Sequence, residues 1–371
     1  MSNDKPVFAV LGAGHGGKAM AADLAVRGFH VHLFNRTFER VEAIKARGGI
    51  ELETEDGQYR FGAIETVGSD MGEVLAEANV IMVVVPATGH RDMATFCAPH
   101  LRDGQVVVLN PGRTCGAIEF RQVLREQGCR AQVIVAEAET LIYASRSMGP
   151  AEARIFRIKN TVPVAALPAA DTPRVVAALR PAFPQFIPAR NVLHTSLNNM
   201  GAVFHPALTI LNSARIESTQ GNFQFYIEGV TSTVGHILEA VDRERVTVAA
   251  ALGIRAQTAL EWLERAYAAT GENLYQAIQA NPGYQGVTAP RTLAHRYIFE
   301  DVPMSLVPIA ALGERFGVST RAIDSMIRLA SILHRTDYFR RGRTLDKLGL
   351  DKLSVSEITR YVEEGTLEHG L

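Results

Sequence analysis

The sequence predicts an α/β chain: a doubly wound, Rossmann-like sheet followed by an all-helical C-terminal domain. Three observations carry that prediction. The chain opens on an apolar run, Val7 to Leu11, that leads straight into Gly12-Ala13-Gly14-His15-Gly16-Gly17 and then a helical pattern. Apolar runs and helical patterns go on alternating to about residue 190. Beyond Pro184-Gln185-Phe186-Ile187-Pro188 the pattern is helical nearly throughout, with no convincing strand after about Thr195. A chain of 371 residues leads one to expect two domains, placed here at 1–190 and 191–371.

The opening motif reads Gly-x-Gly-x-x-Gly between a strand and a helix, the setting in which it binds a dinucleotide. Gly12 permits the tight turn, Gly14 lets the backbone approach a pyrophosphate, and Gly17 lets the helix pack closely on the strand. The rest of the loop, His15 and Gly16, brings backbone amides to the phosphates at the helix N-terminus.

The second strand, 30–34, ends at Asn35-Arg36-Thr37. An acidic residue there would hold both ribose hydroxyls and favour NAD. Asn35 does not repel a 2′-phosphate, Arg36 can pair with one, and Thr37 can donate to it or cap the next helix. NADP is therefore expected in preference to NAD. Further strands are expected at 80–85, 106–109 and 133–136, with helices near 18–27, 38–47, 71–77 and 116–127. Pro86, Asn110 and Gly112 follow strand ends, where ligands bind in open sheets, and are expected to wall the nicotinamide ribose. As turn formers they would also stand there without a ligand. Stretches 155–158 and 162–167, followed by a helix near 173–182, are expected to extend the sheet.

In the helical half, residues 197–206 read as one helix. Asn198, Ala202, His205, Thr209 and Asn212 recur at steps of three and four and so share a face. Polar groups on a buried face are costly, so this face is expected to line a cleft, with the space between the domains as the default place for chemistry. Pro206 would free the carbonyl of Ala202. A second constellation is Arg296-Tyr297-Ile298-Phe299-Glu300-Asp301. Arginine offers a planar fork to a carboxylate, and aspartate can orient an imidazole. The two converge only if the helix ends between them, which Pro303 makes feasible.

The formal net charge of -1, without long runs of one sign, argues against nucleic acid or a membrane surface as partner. No apolar run approaches membrane-spanning length, and no signal-peptide pattern opens the chain. Cys97, Cys115 and Cys129 lack metal-ligand spacing, so no metal is expected, and reduced thiols suit a cytoplasmic protein.

The chain resembles the opine dehydrogenases, the octopine/nopaline dehydrogenase family. The likeness is carried by residues 9–17, by Leu109-Asn110-Pro111-Gly112, by 191–197, and by His205-Pro206. It continues through Leu211-Asn212-Ser213-Ala214-Arg215, Phe225-Tyr226-Ile227-Glu228-Gly229 and Asn281-Pro282-Gly283-Tyr284, and closes with Arg296-Tyr297 and Glu300-Asp301-Val302. The resemblance implies reductive condensation of an amino acid with a pyruvate-like 2-oxo acid, using NAD(P)H. It implies His205 as acid/base, Asp301 as its partner, and Arg296 as clamp for the oxo-acid carboxylate. Asn198, Asn199 and Asn212 are candidate substrate contacts, and a homodimer is the expected assembly. Some relatives are acidic where Asn35 stands, and many carry asparagine where His15 stands. The competing readings are a ketopantoate reductase or glycerol-3-phosphate dehydrogenase type of acid reductase, and a non-catalytic NADPH-binding regulator. Acid reductases of that plan commonly rely on a catalytic lysine, and the helical half is poor in lysine before Lys347.

Overall fold

A computed structural model describes residues 5–366. The chain forms two compact units: the first holds 5–112, 116–195 and 360–366, the second 113–115 and 196–359.

The first unit contains the strands β1 (Phe8–Leu11), β2 (Val31–Phe34), β3 (Gly49–Glu53), β4 (Tyr59–Ala63), β5 (Thr66–Gly68), β6 (Val80–Val83), β7 (Val106–Leu109), β8 (Ile134–Ala138), β9 (Tyr143–Gly149), β10 (Glu152–Ile158), β11 (Val162–Leu167) and β12 (Phe186–Pro188). Eight of them form the main sheet, in the order β12-β11-β8-β7-β6-β1-β2-β5. From β5 across to β8 every pairing is parallel; β11 turns the direction by pairing antiparallel with β8. Every residue of β1, β2, β6 and β7 is buried, as a sheet covered on both faces requires. The chain order reverses between β1 and β6, and in open sheets the crevice outside such strand ends binds ligands.

Stretch 155–158 does not extend this sheet. It belongs to β10, in a separate four-stranded sheet ordered β4-β3-β10-β9. The reason lies in its burial: only alternate positions at the start of β10 are covered, so it cannot sit among strands covered on both faces. This smaller sheet packs on the helix His15–Val26, and the approach is close. A Cβ at Gly62 would lie 2.6 Å from the carbonyl oxygen of Ala22.

The second unit is helical. Its central helix, Met200–Leu211, packs against Ser232–Ala251, Arg321–Leu333, Arg296–Phe299 and the π-helical turn Val302–Leu306. The helix expected over 197–206 is broken at Asn198-Asn199: Val192–Leu197 ends and Met200–Leu211 begins. Fully buried Arg245 explains the break, because Nη1 donates to the carbonyl of Leu197. Asn198 Oδ1 accepts from Gln257 N at 2.8 Å, which holds the opened turn.

Two segments cross the boundary drawn at 190. Residues 360–366 return to the first unit, where the Arg121 guanidinium lies over the Tyr361 ring and donates to Gly365 O at 3.2 Å. Residues 113–115 leave it, held by Thr114 N to Met304 O at 3.2 Å and Cys115 N to Ser196 Oγ at 2.8 Å.

Candidate active site

The glycine loop of the first unit is built as its sequence requires. Gly12 has φ +114°, a conformation other residues avoid. A Cβ on Gly17 would lie 1.7 Å from Gly12 O, so no side chain fits between helix and turn. A Cβ on Gly14 would meet nothing within 4 Å: the backbone at Gly14 faces open space, as the residue beside a pyrophosphate must. The residues present therefore fit a dinucleotide. Asn35 braces the loop, its Oδ1 accepting from Ala13 N at 3.1 Å and its Nδ2 donating to Thr37 O at 2.8 Å. Arg36 pairs with Asp92 at 3.0 Å, both side chains being exposed. Thr37 makes no side-chain cap for the turn that follows. His15 is tied to β9, its Nδ1 accepting from Ser147 N at 2.9 Å.

Pro86 follows β6 and opens a short 3-10 turn. Asn110 and Gly112 follow β7. Asn110 is buried and donates through Nδ2 to Val108 O at 2.8 Å; its Oδ1 is a buried acceptor without a partner among the described residues. A Cβ on Gly112 would lie 2.5 Å from the Glu137 side chain, so this turn admits only glycine. Glu137 is itself buried, accepting from Ala117 N at 2.8 Å and Thr195 Oγ1 at 2.7 Å.

In the second unit, His205 projects from the central helix, whose turn is secured by Thr209 Oγ1 donating to His205 O at 2.7 Å. Its neighbours on that face do not line a cleft as expected. Ala202 and Thr209 are buried, and Asn212 donates to Leu208 O at 2.9 Å and Gly229 O at 3.0 Å. Asn198 and Asn212 thus spend their amides on the scaffold. Of the five, Asn198, Ala202 and Thr209 are buried, while His205 and Asn212 are partly exposed, His205 with 21% of its side chain.

Facing it, the helix Arg296–Phe299 stops after four residues and a π-helical turn follows. Asp301 stands five residues after Arg296, so the helical backbone points the two in different directions, and the π turn that begins at Val302 is of a kind that often marks functional sites. His205 Nδ1 lies 2.9 Å from Asp301 Oδ2, and Asp301 is fully buried. The imidazole stacks on the Tyr297 ring, centroids 4.0 Å apart. Tyr297 stacks in turn on Phe225, and His295 meets it edge-on. Arg296 does not touch Asp301. Its Nε donates to Glu300 Oε2 at 2.8 Å while nearly half of the side chain stays exposed.

Sequence reasoning missed Arg113. Its Nη1 ion-pairs with Asp301 Oδ1 at 3.1 Å, off the line of a hydrogen bond, and its Nε donates to Glu300 Oε1 at 3.3 Å. Nη1 also reaches Asn199 Oδ1 at 3.4 Å, and Asn199 Nδ2 donates to Ser305 Oγ at 2.8 Å. So Asn199, unlike Asn198 and Asn212, stands in the charged cluster. Burial would push the Asp301 carboxyl up; Arg113, His205 and Arg296 outweigh it and hold the group below the usual aspartate range. Burial, with Arg296 and His205 nearby, holds His295 below the usual imidazole value. The cluster can thus keep a carboxylate charged out of water behind an imidazole that reaches solvent, beside an arginine with Nη atoms to offer an anion. No group of residues suited to a metal occurs among the described residues, and none of the described helices is long and apolar enough to cross a membrane.

Comparison with known proteins adds to this geometry. Residues 188–334 match the family model described as NAD/NADP octopine/nopaline dehydrogenase, alpha-helical domain. Residues 7–130 match the NAD binding domain of 6-phosphogluconate dehydrogenase. The chain is 39% identical over 360 residues to an opine dehydrogenase of Arthrobacter sp. (strain 1C), covering 97% of this chain and 99% of that one. Among solved structures it is similar to octopine dehydrogenase with NADH and L-arginine, at TM-score 0.82 and 21% identity over 99% of this chain and 100% of that one. It is also similar to NADP+-bound yersinopine dehydrogenase, at TM-score 0.76 and 16% identity over 98% of this chain and 99% of that one.

Proposed function

The chain belongs to the opine dehydrogenase family, and from that premise we propose how its own residues perform the family's reaction. It is an NAD(P)-dependent oxidoreductase that condenses the amino group of an amino acid with a 2-oxo acid and reduces the imine to a secondary amine. The bound nicotinamide supplies the hydride.

His205 is the acid/base. As acid it gives a proton to the departing hydroxyl of the carbinolamine; in the reverse direction it takes the proton of the product amine. Asp301 accepts from Nδ1, which leaves Nε2 as the working nitrogen, and stabilises the imidazolium when it forms. Arg296 holds the oxo-acid carboxylate with its Nη atoms while Glu300 fixes Nε. Asn199 lies close enough to this cluster to keep a substrate role. In the first unit Gly12, Gly14, Gly16 and Gly17 cradle the pyrophosphate, with His15 as a brace on β9. Pro86, Asn110 and Gly112 form the nicotinamide-ribose wall. NADPH is preferred, Arg36 exchanging Asp92 for the 2′-phosphate. The observation that carries the reading is the contact of His205 with a buried, charge-compensated Asp301.

The test is NADPH oxidation across a panel of amino acids with pyruvate, with mass spectrometry of the product. Oxidation should require both amine and oxo acid. Turnover with the oxo acid alone would mark an acid reductase, and binding without turnover a regulator. In the same assay Arg36→Ala should raise KM for NADPH far more than for NADH, and Arg296→Lys should raise KM for pyruvate without touching the cofactor. An equal effect of Arg36→Ala on both cofactors would remove the NADPH argument.

A further inference from the structure

The reaction as described makes no use of the buried arginine at its centre. We propose that Arg113 is a positioning residue of the acid/base pair: its guanidinium, docked against both the Asp301 and Glu300 carboxylates, turns Asp301 Oδ2 to His205 and ties that pair to the Arg296 clamp. This rests on His205 being the acid/base.

The two carboxylates are divided alike. Asp301 gives Oδ1 to Arg113 and Oδ2 to His205; Glu300 gives Oε1 to Arg113 and Oε2 to Arg296. Each working side chain is thus held by a carboxylate whose other oxygen is held by Arg113. The seat is cut for that guanidinium. Gly201, on the central helix, faces it, and a Cβ there would lie 2.5 Å from Arg113 Nη1 and 3.2 Å from Asp301 Oδ1. The backbone of the loop is also forced. Arg113 and Cys115 stand at φ 58° and 61°, a region that non-glycine residues rarely occupy and that persists only where the surroundings impose it. Those surroundings include Thr114 Oγ1 donating to Ser196 O at 3.2 Å and buried Arg343 donating to Thr114 O at 2.9 Å.

The charges facing Asp301 come from several elements. Arg113 comes from the loop after β7 and His205 from the central helix. Tyr226 comes from another segment, and His295, Arg296, Tyr297 and Glu300 from Asp301's own. Two of these are guanidinium cations. Arg296 is about half exposed, whereas only 10% of the Arg113 side chain reaches solvent. Arg113 therefore acts in the lower dielectric and is the largest of the influences that oppose the burial of Asp301. Without it the carboxyl takes up its proton at higher pH, and a protonated Asp301 is a weaker acceptor for His205 Nδ1 and carries no charge to stabilise the imidazolium.

The test uses the full-length enzyme labelled with 13C at aspartate carboxyls, the Asp301 signal being assigned by its loss in Asp301→Asn. In Arg113→Gln that signal should titrate about one pH unit or more higher, and the acid limb of kcat/KM should move with it. Turnover should fall roughly tenfold to a hundredfold, the usual effect of removing a partner that orients a working group. KM for the oxo acid should change by less than about threefold, since no substrate contact is lost. Arg113→Lys should recover part of the turnover. Gly201→Ala, a change that favours helix, should reproduce the titration shift by displacing Nη1, and it carries the test if Arg113→Gln does not fold. An unmoved Asp301 titration in a folded variant overturns the proposal. So does a rise in KM for the oxo acid of about tenfold or more with the titration fixed, which would make Arg113 a substrate ligand. Normal turnover in His205→Ala would remove the acid/base reading alone, because the Asp301 titration does not depend on catalysis.

Discussion

Asp301 is a negative charge held out of water by its neighbours, and both its chemistry and its stability effect follow from that. Replacing His205 with alanine should lower turnover by roughly two to four orders of magnitude, the usual worth of a positioned acid/base, with cofactor affinity nearly unchanged. Asp301→Asn should cost less, since the imidazole remains. The double variant should be little worse than His205→Ala, because the two act as one unit; full additivity in steady-state kinetics would break the pair. The same carboxyl links stability to pH. Its value in the folded chain lies below the ordinary one, so its contribution is fully present above about pH 3.9 and is lost as pH falls through the folded value. The stability gap between wild type and Asp301→Asn in urea should therefore be flat near neutrality and close in acid. His205, Asp301 and Arg296, the residues of the proposed site, could be singled out in the sequence because each stands in a short motif. Arg113 could not: it stands 187 positions from Glu300, and nothing local says that its loop leaves the sheet for the helical unit. Its turn was read only as a ribose wall. The face drawn through Asn198 failed for a similar reason, since a distant arginine, Arg245, opens the helix there.

At the scale of elements, what could be read depended on burial. β1, β7 and β11 fall on the residues expected, because strands covered on both faces are continuous apolar runs. β4 and β9 were missed. Tyr59-Arg60-Phe61-Gly62-Ala63 is exposed at four of its five positions, and β9 alternates around Ser145, Arg146 and Ser147, so neither carries an apolar run. That smaller sheet braces the glycine-loop helix, with Lys18 Nζ donating to Gly149 O at 2.9 Å and Pro150 O at 2.7 Å. Two glycines of the loop should separate fold from binding. Gly14→Val adds a side chain where nothing stands within 4 Å, so circular dichroism should stay native while NADPH binding is lost. Gly17→Ala puts a Cβ 1.7 Å from a carbonyl oxygen and should destabilise the unit itself. NADPH affinity retained in a native Gly14→Val protein would show that the loop is not the cofactor site.

At the scale of the whole molecule, the first unit is not continuous in sequence, and this has a consequence for folding. Its last piece arrives after the entire helical unit, in the second half of the helix Val355–Glu364. Tyr361 and Val362 are buried there, at 1% and 0% exposure, and Asn191 Nδ2 donates to Glu363 Oε1 at 2.7 Å. A boundary read at one point could not foresee this, because a short amphipathic helix has the same period whichever unit it covers. A fragment ending at residue 195 would lack that piece, and with it the Tyr361 ring under the Arg121 guanidinium and the Glu363 partner of Asn191. It should therefore be less stable than the same unit within the full chain, and a chain ending at residue 354 should share the defect. Tyr361→Ala in the full-length protein isolates the effect, and loss of a large buried aromatic costs about 3–5 kcal/mol. The measurement is chemical unfolding with and without NADPH. A ligand that binds the folded unit adds stability by mass action, so NADPH should partly restore what the substitution removes. The substitution lies in the first unit and Tyr361 is not one of the residues of the His205 cluster, so turnover at saturating substrates and low temperature should stay near wild type. A Tyr361→Ala protein as stable as wild type, or a fragment 1–195 that binds NADPH as tightly as the full chain, would show that the first unit closes without its C-terminal piece.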